Sequence, residues 1–183
     1  MSNRLKRPDR GPDAPSVSDH DPQQVAYLFI ANGFDEQAAR ATQTAARRAG
    51  LGPILVAQTV QPLIGNEGTV TQARLTFERV RVLPLPRAIL LLSAPGVAAA
   101  FVADPRLSRF LSTALNNDGV VGAFSGTLDW LARMRGDIGP GAAAVISQGA
   151  RSTPAFLAEV FDQVNRRSAQ APDTGTHPLT RVP

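Results

Sequence analysis

Short, uninterrupted apolar runs punctuate this chain: VAYLFIA (25–31), PILVAQT (53–59), AILLL (88–92), GVVGAF (119–124) and AAAVIS (142–147). Strands with one solvated face alternate polar and apolar positions, whereas these runs do not, so they predict parallel strands covered on both faces. Between them the pattern changes to helical spacing. After Asn32-Gly33, Asp35 is placed to cap an Ala- and Arg-rich helix over 36–49 that stops at Gly50. Residues 97–101 and 105–115 read as two more helices, the second opened by Asp104 as cap and Pro105 as first residue. Thr153-Pro154 begins a last helix in which Phe156, Leu157, Val160, Phe161 and Val164 form one stripe. Residues 63–82 mix periods and predict an excursion of short antiparallel strands or a small helix. Strands alternating with helices predict an α/β fold: a flavodoxin-like, doubly wound, mostly parallel sheet with helices on both faces, in a single domain.

Both ends differ from this core. Residues 1–24 and 168–183 are rich in charge, Pro and Ser or Thr and hold little that can be buried, so disordered tails flanking a domain at 25–167 are expected. The two histidines, His20 and His177, and the single lysine, Lys6, fall in those tails. No apolar run is long enough to span a membrane and no secretory h-region is present, which points to the cytoplasm. With no cysteine in 183 residues, disulfides, thiolate metal sites and a cysteine nucleophile are excluded. Acidic residues and histidines show no metal-ligand spacing, and Gly139-Pro140-Gly141 does not open a phosphate-cradling helix, so neither metal nor cofactor is expected. The net charge of +4 is spread over scattered arginines, without the interleaved aromatics that bind bases, so nucleic acid is an unfavoured partner.

The chemistry concentrates at one turn. The strand at 119–124 runs into Ser125-Gly126-Thr127, and 128–132 resume a helical pattern containing Trp130, which reads as core. In an open α/β sheet the carboxyl ends of strands present ligands and nucleophiles. Ser125 occupies that place, but a hydroxyl needs a base and the predicted core has no histidine. Asp35 is a weak base, and its N-cap role accounts for it without catalysis. The serine also lacks a GxSxG frame, since Phe124 precedes it directly.

Three motifs together resemble the ThiJ/PfpI superfamily, relatives of class I glutamine amidotransferases. They are Gly33-Phe34-Asp35 after the first strand, RAILLLSAPGV with Asp104-Pro105-Arg106-Leu107 beyond it, and Ala123-Phe124-Ser125-Gly126-Thr127-Leu128-Asp129-Trp130-Leu131-Ala132. The resemblance spans 25–164 and implies a cysteine nucleophile at the elbow, a supporting carboxylate, a Gly-Gly oxyanion turn and often a histidine. Here the elbow holds Ser125, the carboxylate position holds Asp35, and the turn reads Leu92-Ser93-Ala94. The histidine-bearing segment is missing between Met134 and Gly141, and Thr176-His177-Pro178 lies out of order. The resemblance therefore implies a degenerate member, a pseudoenzyme. Ser125 and Asp35 would be a vestigial pocket, and Ser93, Ala94, Gly96, Ser125 and Gly126 would line a ligand site. It also implies homodimers with the elbow near the interface. The expected function is non-catalytic: small-molecule sensing, or protein assembly and regulation. The alternative is a serine-dependent hydrolase or hydratase-like lyase using Ser125 with Asp35.

Overall fold

The computed structural model describes residues 24–127 and 145–170. β1 (Val25–Phe29) is buried at every position because it has a parallel neighbour on each side. On one side lies β2 (Gly52–Ala57), on the other β6 (Ala88–Leu91), itself wholly buried. β7 (Val120–Ala123) continues the sheet beyond β6, and β8 (Val145–Ser147) closes that edge. The two-residue β5 (Leu75–Thr76) extends the other edge, giving the order β5-β2-β1-β6-β7-β8 with every pair parallel. Leaving out the short β5, the five main strands follow the flavodoxin-like order, which reverses between β1 and β6.

The excursion at 63–82 contains both of the expected elements. β3 (Pro62–Ile64) and β4 (Val70–Gln72) pair antiparallel as a separate hairpin, and after β5 comes a one-turn helix, α2 (Phe77–Val80), capped by the Thr76 hydroxyl. The strand expected at 53–59 ends at Ala57, because Thr59, Val60 and Gln61 already turn toward that hairpin. The helix expected at 97–101 is longer, α3 (Pro95–Ala103), since proline is tolerated where the first N–H would have no partner. For the strand expected at 142–147, residues 145–147 are described; 142–144, the helix at 128–132 with Trp130, and both tails' histidines lie outside the described residues.

Helices cover both faces. α1 (Glu36–Arg48) and the last helix, α5 (Thr153–Gln170), pack together on one. α5 continues through Ser168 to Gln170, past the expected domain boundary. Its apolar stripe is buried as the spacing predicts, with Phe156 against Phe124 at 4.9 Å between ring centroids. On the opposite face α2, α3 and α4 (Pro105–Asn116) converge on Phe29, whose ring lies 5.3 Å from Phe77, 5.3 Å from Phe101 and 6.4 Å from Phe110. One central-strand side chain thus joins three helices. Phe29→Ala leaves a cavity at their junction, so it is expected to cost about 3–5 kcal/mol in urea denaturation. A loss below about 1 kcal/mol would mean that the helices do not depend on this ring.

Candidate functional site

The carboxyl ends of β1, β6, β7 and β8 lie side by side, and each is followed by a short turn. Ser93 is half-buried and Ala94 is buried between β6 and α3, where Ala94 is the N-cap residue without a side-chain cap bond. Gly96, in the first turn of α3, approaches the loop after β1: a Cβ built there would lie 2.8 Å from the Ala31 Cβ. The backbones close on each other at the reversal point, where ligands bind in folds of this kind. Ser125-Gly126-Thr127 forms a single 3-10 turn after β7, and that turn packs against α3. Ser93, Ala94, Gly96, Ser125 and Gly126 therefore belong to two neighbouring turns at one end of the sheet.

Ser125 is exposed, and its contacts are informative. Its Oγ donates toward Gln148 Oε1 at 3.2 Å and the Gly149 carbonyl at 3.3 Å. Its backbone N–H also points to Gln148 Oε1, at 3.4 Å. Gln148 is fixed in turn, with its N–H on the Ala123 carbonyl at 2.8 Å and its Nε2 donating to the Thr153 hydroxyl at 3.2 Å. Amide and peptide oxygens accept a hydrogen bond but cannot take the proton away, so this arrangement orients the serine without activating it. Asp35 is engaged elsewhere: its Oδ1 accepts the Ala38 N–H at 2.9 Å as the N-cap of α1. Among the described residues no hydrogen bond joins Asp35 to Ser125.

Two residues that the sequence did not single out hold the site together. Thr127 is buried, and its hydroxyl bonds the Phe124 carbonyl at 2.8 Å and reaches the Leu91 carbonyl at 3.5 Å. It ties the turn after β7 to the end of β6. Nothing in the local pattern marks this threonine, because its second partner is distant in sequence.

The other is Glu36, next to Asp35 and almost fully buried. Its carboxylate accepts the Thr69 hydroxyl, the Thr69 N–H at 2.7 Å and the Glu67 N–H at 3.1 Å, while Arg40 Nη2 lies 3.5 Å away. The tip of the β3–β4 hairpin thus closes over the start of α1. The Gly33 N–H donates to the Ile64 carbonyl, the Asn66 N–H to that of Phe34, and the Ile64 N–H to Asn32 Oδ1. A Cβ at Gly65 would overlap the Glu36 side chain, so a larger residue there would displace the carboxylate from the hairpin. The only local signal for this glutamate is its place in the first turn, where a negative charge suits the helix dipole, and its partners lie over thirty residues away. The Thr69 hydroxyl, outweighing the opposing effect of desolvation and helped by the two N–H groups and Arg40, holds the Glu36 carboxyl below its ordinary value.

No family model matches this chain, and no curated protein does. Solved structures do. DJ-1beta of Drosophila melanogaster superposes with a TM-score of 0.60 at 12% identity, covering 81% of this chain and 97% of its own. Oxidized DJ-1 of Toxoplasma gondii gives 0.59 at 13%, covering 79% and 96%. A ThiJ/PfpI domain protein of Brachyspira murdochii gives 0.58 at 14%, covering 78% and 96%. The chain shares the flavodoxin-like α/β fold of these solved structures, the fold that its motifs suggested.

Two measurements check this description. Thr127→Val leaves buried carbonyls without their donor and should cost about 1–3 kcal/mol in urea denaturation, whereas Ser125→Ala should stay within about 0.5 kcal/mol. Equal losses would mean that the turn is not anchored through Thr127. For Glu36, a folded-state pKa below the unfolded one gives stability that is complete above about pH 4.3 and is lost as pH falls through the folded value. Protection of the Glu67 and Thr69 amides, after correction for the intrinsic pH dependence of exchange, should therefore fall on acidification in the native chain. In Glu36→Gln protection should be low already at neutral pH and change little, and parallel pH profiles of protection would count against the carboxylate.

Proposed function

We propose that this chain is a non-catalytic domain of the DJ-1/ThiJ/PfpI fold, acting in small-molecule recognition or in protein assembly and regulation. The observation that carries the reading is the partnership of Ser125 with Gln148 and Gly149. Acyl transfer through a serine needs a base that accepts its proton and donors aimed at the developing oxyanion. Here the neighbouring groups are uncharged oxygen acceptors. The nearby carboxylates support the same reading, since Asp35 caps α1 and Glu36 binds the hairpin. Ser93, Ala94, Gly96, Ser125 and Gly126 form the recognition edge in this proposal, with Asp35 and Ser125 as remnants of a catalytic pocket.

Assembly as a homodimer fits an exposed apolar pair on the hairpin. Ile64 and Val70 lie directly opposite each other on β3 and β4, exposed at 56% and 64%. Apolar side chains presented together are a mark of interaction surfaces.

The test is active-site labelling of the purified full chain with a fluorophosphonate, which modifies serines activated as nucleophiles, alongside hydrolysis of a small activated ester. The expected result is no stoichiometric adduct and equal background rates for the native chain and Ser125→Ala. An adduct on Ser125, with an ester rate at least about a hundredfold above that of Ser125→Ala, would establish the serine hydrolase instead. Light scattering of the same sample should give twice the chain mass, and a monomer would remove the homodimer.

A further inference from the structure

On the face of the sheet that carries α2, α3 and α4, away from Ser125 in the fold, three arginines surround one cavity. Arg81, Arg106 and Arg109 line it together with Leu85, Phe110 and Thr113, and its volume is about 280 Å³. Arg81 follows α2 and is mostly buried, with 18% of its side chain exposed. Its guanidinium is shared between Asp104 Oδ2 and Glu78 Oε1, each at 3.4 Å. Asp104 is doubly used, because its Oδ1 also caps α4 by accepting the Arg106 N–H at 2.9 Å. These carboxylates hold Arg81 in place against the cavity.

Arg106 and Arg109 have no such partners: neither forms an ion pair with any described residue. Arg106 stands in the first turn of α4 and Arg109 one turn further on, so their side chains follow each other along one stretch of the helix beside the groove. Arg106 and Arg109 are exposed, and with Arg81 beside them, held by the partly exposed Asp104 and the exposed Glu78, they turn three guanidinium groups toward one groove, a surface suited to an anion. The cavity floor adds a second recognition element, since Phe110 and Leu85 present carbon rather than polar atoms. The Thr113 hydroxyl is committed to the Arg109 carbonyl at 2.8 Å, so the donors to a ligand are the arginine forks.

We propose that this cavity binds a small phosphate monoester with a compact apolar body. Two arginine forks present paired N–H donors, and the three terminal oxygens of a monoester can accept from both, whereas one carboxylate is filled by a single fork. Its charge near −2 at neutral pH suits the uncompensated cations. The volume lies just below the roughly 300–1,000 Å³ of sites for drug-sized ligands, which limits the occupant to a phosphate and a few carbons. The site is separate from the Ser125 turn, and the proposal does not depend on how that turn is used.

Isothermal titration of the full chain with phenyl phosphate, inorganic phosphate and phenol tests the proposal. Phenyl phosphate should bind most tightly, inorganic phosphate more weakly, and phenol not at all. An Arg106→Gln/Arg109→Gln variant should weaken phenyl phosphate binding at least about tenfold. An Arg47→Gln/Arg48→Gln variant removes the same charge from the opposite face and should bind as the native chain does. Because both arginines are exposed and neither forms an ion pair with a described residue, the first variant should melt close to the native chain, so lost binding cannot be assigned to unfolding. No heat with phenyl phosphate up to about 10 mM, a millimolar limit equivalent to only a few kcal/mol of binding, overturns the proposal. Equal weakening in both double variants also overturns it, leaving only general charge attraction. Tighter binding of a short oligonucleotide, lost steeply with salt, would reassign the surface to nucleic acid.

Discussion

The pairing of β1 with β6 is the constraint on which the rest of the molecule depends. It joins two runs of apolar residues that are far apart in the chain and places each where both of its faces must be covered. Covering them recruits α1 and α5 on one face and α2, α3 and α4 on the other. It also fixes the reversal of strand order, and so the end of the sheet where turns from separate crossovers meet. The Gly96–Ala31 approach and the bond of Thr127 to Leu91 both close that junction. The architecture and the position of the candidate site thus have one origin, the burial of β1 between parallel neighbours.

The resulting junction is chemically quiet around Ser125. Serine, glutamine and a peptide carbonyl can form a well-oriented network, yet none of them changes its charge near neutral pH. The acidic groups close in sequence are used mechanically: one completes a helix terminus, the other closes a hairpin over it. A fold known for presenting side chains at its strand ends here invests its charged groups in holding loops.

The local pattern made the parallel strands and the helices legible because each carries its own periodicity, as the stripe from Phe156 to Val164 shows. The cap at Asp35 was equally legible, being a contact three residues long. What could not be read were bonds made between elements. Gln148 follows an ordinary strand and Thr127 ends an ordinary turn, and their partners emerge only when the sheet order is known. Glu36 could be read as a first-turn acid, but its near-complete burial depends on a hairpin whose mixed pattern left two conformations open. The three arginines around Leu85 come from α4 and from the end of α2, and were read as scattered charge for the same reason.

The parallel arrangement has a consequence for the birth of the protein. Antiparallel neighbours can zip as soon as a hairpin is made, but the central partner of β1 begins at Ala88, long after Phe29 has been added. At roughly 5–20 residues per second, a strongly apolar strand waits several seconds on the ribosome for its companion. During that interval β2, α1 and α2 can shield only one edge and part of each face of it. The early nascent chain is therefore a natural client for chaperones that hold apolar segments, a demand that eases when residues 88–91 pair with it and ends only when the later helices cover both faces.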